Sequence, residues 1–125
     1  MITIKDLGFS YGEKAVLKNI TMTLEEGRIY GLLGENGVGK TTLLTLLCGL
    51  KAVKSGSIDT DGHNPYDREP SFLVDQYYLS DEVAAMNMTA LDYAKNYGKF
   101  WNGFDMEKFV EIMGVFENDP AQKMN

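Results

Sequence analysis

Gly34-Glu-Asn-Gly-Val-Gly-Lys40-Thr41 is the stretch that decides how this chain folds. It satisfies the pattern G-x-x-x-x-G-K-[ST] in full, and each residue type in that pattern has a physical task. Glycines let successive backbone N–H groups turn inward without Cβ clashes, which makes a concave nest for an anion. A helix beginning at Lys40 aims its unsatisfied N–H groups and positive dipole end at the same point. Lys40 adds a mobile ammonium that can reach β- and γ-phosphates. Thr41 offers a hydroxyl to Mg²⁺, and Thr42 is placed toward the α-phosphate.

The flanks meet the requirement that a strand enter the loop and a helix leave it. Arg28-Ile-Tyr-Gly-Leu-Leu33 is short and mostly apolar, as a buried strand is. Thr41 to Leu50 carries leucines at 43, 44, 46, 47 and 50, the spacing of a buried helix face, with Gly49 as its stop. Upstream, Ile2 and Ile4 alternate with polar residues. Val16 to Ile20 and Met22 to Leu24 are strand-like runs, and Glu26-Gly27 reads as a tight turn. Downstream, Lys54 to Ser57 reads as a turn, Ile58 begins a short strand, and Asp61-Gly62 is another turn. Ser71 to Val74 is a brief apolar run that predicts a second core strand. Thr89 is placed to cap a helix carrying Leu91, Ala94, Tyr97 and Trp101 on one side. Asp105 is placed to cap another, with Met106, Phe109, Val110 and Met113 inward and Gly114 at its end.

Charge divides the chain unevenly. Residues 1–64 balance seven basic against seven acidic side chains, whereas residues 65–125 hold five against eleven, which supplies the whole net charge of −6. That balance argues against nucleic acid as a partner, because there is no general positive field to attract it. The shift near residue 65 suggests a subdomain boundary. No apolar run approaches the roughly 20 residues of a membrane-spanning helix, and the N-terminus lacks the pattern of a secretory signal. Cys48, the single cysteine, sits in an apolar helical stretch and reads as a structural thiol of a cytosolic protein. His63 lies in a turn beside Asn64-Pro65 and reads as a surface residue. Met86 and Met88 read as packing, and Trp101 as an anchor of the helical part.

A phosphate loop alone does not choose among kinases, GTPases, motors and transporters. The residues around it do. Ile2 to Gly12, Val16 to Gly27, Gly31 to Leu44, Cys48-Gly-Leu50 and Ser55-Gly-Ser-Ile58 with Asp61-Gly62 together resemble the ATP-binding cassette family. The likeness is dense over residues 1–62 and thinner from 63 to 125. It implies an α/β fold of the P-loop NTPase, ABC ATPase type, with an N-terminal antiparallel β subdomain and the start of a helical subdomain. The expected division is 1–75 for the ATP-binding core and 76–125 for the helical part.

What the resemblance implies about function can be placed residue by residue. ATP would be held by Tyr11, Gly34, Glu35, Asn36, Gly37, Val38, Gly39, Lys40, Thr41 and Thr42, with Lys40 the one catalytic group. Tyr11 matches the family's adenine-stacking aromatic, and a tyrosine face does offer a flat apolar surface to a purine. Gln76 falls where the family carries its glutamine loop, so Mg²⁺ would be held by Thr41 and Gln76. Asp75, where many relatives have proline, departs from that pattern. The implied function is the ATP-binding subunit of an ABC transporter, an ATPase at the inner face of the membrane. Its expected partners are a permease and a second nucleotide-binding domain.

No L-S-G-G-Q-like stretch and no apolar run ending in Asp-Glu occurs in these 125 residues, and the switch histidine is absent. The chain thus reads as the N-terminal part of the domain, truncated before those motifs, and expected to bind nucleotide without turnover. Two alternatives stay open: a soluble cassette protein of translation or DNA repair, and a nucleotide-binding interaction fragment that does not hydrolyse.

Overall fold

The computed structural model describes residues 1–80 and 86–123, and the chain divides into two compact units, Met1–Tyr78 and Leu79–Asn125. In the first unit, β1 (Ile2–Tyr11) and β2 (Lys14–Leu24) form a hairpin around Gly12-Glu13. A third strand, β3 (Ser55–Thr60), pairs antiparallel with the other edge of β1, giving the order β2-β1-β3. The helix α1 (Lys40–Leu47) lies against this sheet through Leu43, Leu46 and Leu47, which join Ile4, Leu7, Phe9, Leu17 and Ile58 in one buried cluster.

β1 buries Ile4, then Leu7 and Phe9, so its inward parity changes between residues 4 and 7. Simple alternation cannot do this. The pairing with β2 shifts register between Ile4 and Leu7, and Asp6 there adopts φ 46°. The bulge is held by Thr21, whose Oγ1 accepts from the Asp6 backbone N–H at 2.9 Å. One extra residue thereby keeps three large apolar side chains on the face that meets α1.

Three expectations are corrected. Residues 28–33 run without strand pairing, with Ile29 103% and Leu33 93% exposed. A strand exists only when neighbouring backbones take its N–H and C=O groups, and no strand lies beside this segment among the described residues. Ser71 to Val74 is not a strand either. Pro70–Leu73 forms a one-turn helix, α2, with Pro70 at the position where a missing N–H costs nothing. Ser55 to Ser57, expected in a turn, belong to β3, because Gly56 takes φ 75° and lets that strand lie close against Lys5 and Asp6.

α1 ends as the glycine predicts. Gly49 has φ 65°, and a Cβ on it would lie 1.9 Å from the Pro65 carbonyl oxygen in the following 3-10 turn, Pro65–Asp67.

In the second unit, α3 (Ala90–Tyr97) is capped by Thr89, whose side chain accepts from Asp92 N–H. α4 (Met106–Val115) is capped by Asp105, which accepts from the N–H groups of Glu107 and Lys108. The buried residues of α3 are Ala90 and Ala94, one turn apart; Leu91 is only half-buried, and Tyr97 and Trp101 are exposed. None of α4 is fully buried, Val110 is exposed, and the helix passes Gly114 to end at Val115. An aromatic chain, Tyr93–Trp101–Phe104–Phe109, runs through this unit with successive ring centroids about 6 Å apart; it includes Trp101 and Phe109 of the expected faces and adds Tyr93 and Phe104. Among the described residues no helix is long and apolar enough to cross a membrane.

Candidate functional site

The loop between residues 34 and 39 is exposed until Gly39, which is buried under β2. Gly39 stands at φ 108°, and a Cβ there would lie 2.7 Å from Val16 Cγ1 and 2.9 Å from Leu17 Cδ2. Both conformation and space therefore demand glycine at the last residue before α1. α1 starts at Lys40, so its first-turn N–H groups face the loop, as those of any helix N-terminus must.

Lys40 turns back across the loop. Its Nζ donates to the carbonyl oxygens of Gly34, at 2.7 Å, and Glu35, at 2.8 Å. One ammonium thus ties the start of the loop to its end. Thr41 is exposed and Thr42 is buried at 7% exposure. The Thr42 hydroxyl shares a hydrogen bond of 3.3 Å with the Tyr11 hydroxyl, which brings the end of β1 to the first turn of α1. Tyr11 is half-exposed, and its ring meets Phe9 edge-on at 5.1 Å. The hydrogen bond with Thr42, and the positive charge of Lys51 after it, hold the phenol below its ordinary pKa.

Gln76 is placed differently. Its Nε2 donates to the Leu47 carbonyl oxygen at 3.2 Å, at the C-terminal end of α1. Six residues of helix, about 9 Å of axial rise, separate Leu47 from Thr41. The structure thus gathers Tyr11, the 34–39 loop, Lys40, Thr41 and Thr42, and it leaves Gln76 at the far end of the helix. Cys48 is half-buried, and burial pushes its thiol pKa up. His63 Nδ1 lies 3.0 Å from Glu69 Oε2 at the surface.

Two neighbours of Tyr11 were missed from the sequence. Phe9 lies two residues before Tyr11 with no motif that marks it, and Lys51 lies 40 positions from Tyr11. Only the turn after α1 brings Lys51 over the ring, and no spacing rule registers such a contact.

This arrangement of sheet, loop and helix has close counterparts. A family profile described as ABC transporter matches residues 17–122. The phosphonates import ATP-binding protein PhnC of Fusobacterium nucleatum is 36% identical over 97 residues, covering 74% of this chain and 39% of that protein. The ribose import ATP-binding protein RbsA of Bacillus licheniformis is 42% identical over 69 residues, covering 55% of this chain and 14% of its own. Among solved structures, an ABC transporter ATP-binding protein from Pyrococcus furiosus superposes with a TM-score of 0.81 at 26% identity. That match covers 98% of this chain and 60% of the neighbour. The chain therefore spans less than two thirds of the length of each of these relatives. Its fold is that of part of an ABC ATPase domain, and the chain belongs to the ABC transporter family.

Proposed function

We propose that this chain is the ATP-binding part of an ABC transporter subunit, with Mg-ATP held at residues 34–42. The observation that carries the reading is Lys40, whose ammonium is already drawn into the loop by two neutral carbonyls. A phosphate oxygen bears real negative charge and is the stronger acceptor, so exchanging carbonyl for phosphate is favourable. The N–H groups of the loop and of the first turn of α1 would receive the remaining phosphate oxygens. Thr41, exposed at the helix start, would hold Mg²⁺, which when bound neutralises phosphate charge. Tyr11 would take the adenine ring on its exposed surface. Gln76 joins the metal region in this proposal only by releasing the Leu47 carbonyl.

In the intact domain, ATP binding and hydrolysis would drive transport across a membrane, with a permease and a second nucleotide-binding domain as partners. The subunit would lie at the cytoplasmic face. Relatives named as import ATP-binding proteins support this reading. The 125 residues by themselves would bind nucleotide without turnover.

Thermal unfolding tests the binding claim. A ligand at 100 times its Kd stabilises the folded state by about 2.7 kcal/mol, and the midpoint then rises by several degrees. The expected result is a midpoint that climbs with Mg-ATP concentration. An unchanged midpoint at millimolar Mg-ATP would contradict the proposal.

A further inference from the structure

Lys51 follows the end of α1 and is half-buried. Its Nζ stands over the Tyr11 ring, 5.2 Å from the centroid. The hydroxyl of the same ring makes only a long hydrogen bond of 3.3 Å with Thr42, and Phe9 packs edge-on at an interplanar angle of 79°. Three residues on, Lys54 Nζ lies over the Phe9 ring at 5.4 Å. Two ammonium groups thus cover two touching rings, one of which meets the first turn of α1 through Thr42.

A half-exposed tyrosine next to a hairpin turn would otherwise sample several rotamers, and a ligand that stacks on it must freeze them. Attraction between the ammonium and the ring quadrupole restrains the ring before any ligand arrives, and such preorganisation raises affinity. Lys40 already serves the phosphate end through the loop carbonyls. Lys51 is engaged instead with the ring that stands at the base end.

We propose that Lys51 is a positioning residue of the nucleotide site, holding the Tyr11 ring where a purine stacks and acting on the base end of the ligand alone. This rests on the nucleotide reading of the phosphate loop. The test compares Mg-ATP with Mg-tripolyphosphate, which carries the phosphates and no base, by calorimetry on the full chain. The proteins are wild type, Lys51→Met, Lys51→Arg, Tyr11→Ala and the Tyr11→Ala/Lys51→Met double variant. Methionine keeps an unbranched stem and loses the charge, and arginine keeps the charge.

The expected result is a loss of about two- to five-fold for ATP in Lys51→Met, the exposed cation–π range. Tripolyphosphate binding should be unchanged, and Lys51→Arg should restore ATP affinity. In the Tyr11→Ala background Lys51→Met should have no further effect, because the group it acts through is gone. An equal loss for tripolyphosphate would make Lys51 a phosphate ligand and overturn the proposal. So would a gain in ATP affinity, which would mean that lysine and base compete for the ring, and so would silence in every comparison. If the wild type binds neither ligand, the nucleotide reading falls and this proposal falls with it. If it binds both and Lys51→Met is silent, only this proposal falls.

Discussion

Gly39 shows how much of the site rests on single atoms. Its φ of 108° is strained for any residue with a Cβ, and the Val16 and Leu17 side chains occupy the space a Cβ would take. Gly39→Ala is therefore expected to cost at least the ~1–3 kcal/mol of a residue forced into such a region. A lower unfolding midpoint by circular dichroism checks this; a midpoint equal to wild type would mean that the loop relaxes freely. Tyr11 poses a different question, whether its ring or its hydroxyl meets the base. Its bond with Thr42 is 3.3 Å, long for O–H···O, so its loss should matter little. Tyr11→Phe should lose at most a few-fold in affinity, while Tyr11→Ala should weaken ATP and GTP alike by about 1 kcal/mol. Purine discrimination that vanishes in Tyr11→Phe would assign the reading to the hydroxyl. At this level the sequence was legible wherever a motif fixes the spacing, as from Gly34 to Thr42. Contacts such as Lys51 on Tyr11 follow from packing between distant segments, which local pattern does not encode.

The strands and helices divide along the same line. α1 was legible because its leucine spacing, its glycine stop and the loop before it agree. Both caps in the second unit were legible too, since Thr89 and Asp105 carry side-chain acceptors just ahead of apolar periodicity. The four-residue apolar run after Pro70 was not, because so short a run fits helix or strand, and the proline at the first helical position settles it as a helix. Residues 28–33 read as a strand from composition, yet pairing belongs to the neighbours as much as to the segment. Gly49 allows a sharper test. Gly49→Ala would meet both the left-handed φ of 65° and the Pro65 carbonyl, whereas Gly62→Ala would meet only a φ of 86° with open space around it. The left-handed conformation alone costs about 1–2 kcal/mol. Gly49→Ala should therefore lower the unfolding midpoint clearly more than Gly62→Ala does, and equal midpoints would mean that the 3-10 turn gives way without cost.

The boundary between the two compact units falls after Tyr78, later than the charge shift near residue 65. Acidic excess begins in the turns after β3, before the first unit ends, so composition located the change of character better than the boundary. The second unit holds Glu107 and Glu111 on α4, both exposed. We propose that neither serves as a base, and turnover by these 125 residues should then stay near background. General acid–base assistance typically supplies about 10²- to 10⁴-fold, and positioning supplies more. Phosphate release from Mg-ATP that is clear in the wild type and lost in Lys40→Ala would reveal a base that the account lacks. The central claim, that the loop holds the phosphates of Mg-ATP through Lys40, is tested most directly by calorimetric titration of Mg-ATP into the full chain and into Lys40→Ala. A charge-assisted contact is worth about 1.5–3 kcal/mol, so the variant should bind roughly 10- to 150-fold more weakly. Equal affinity in the two proteins would contradict the account.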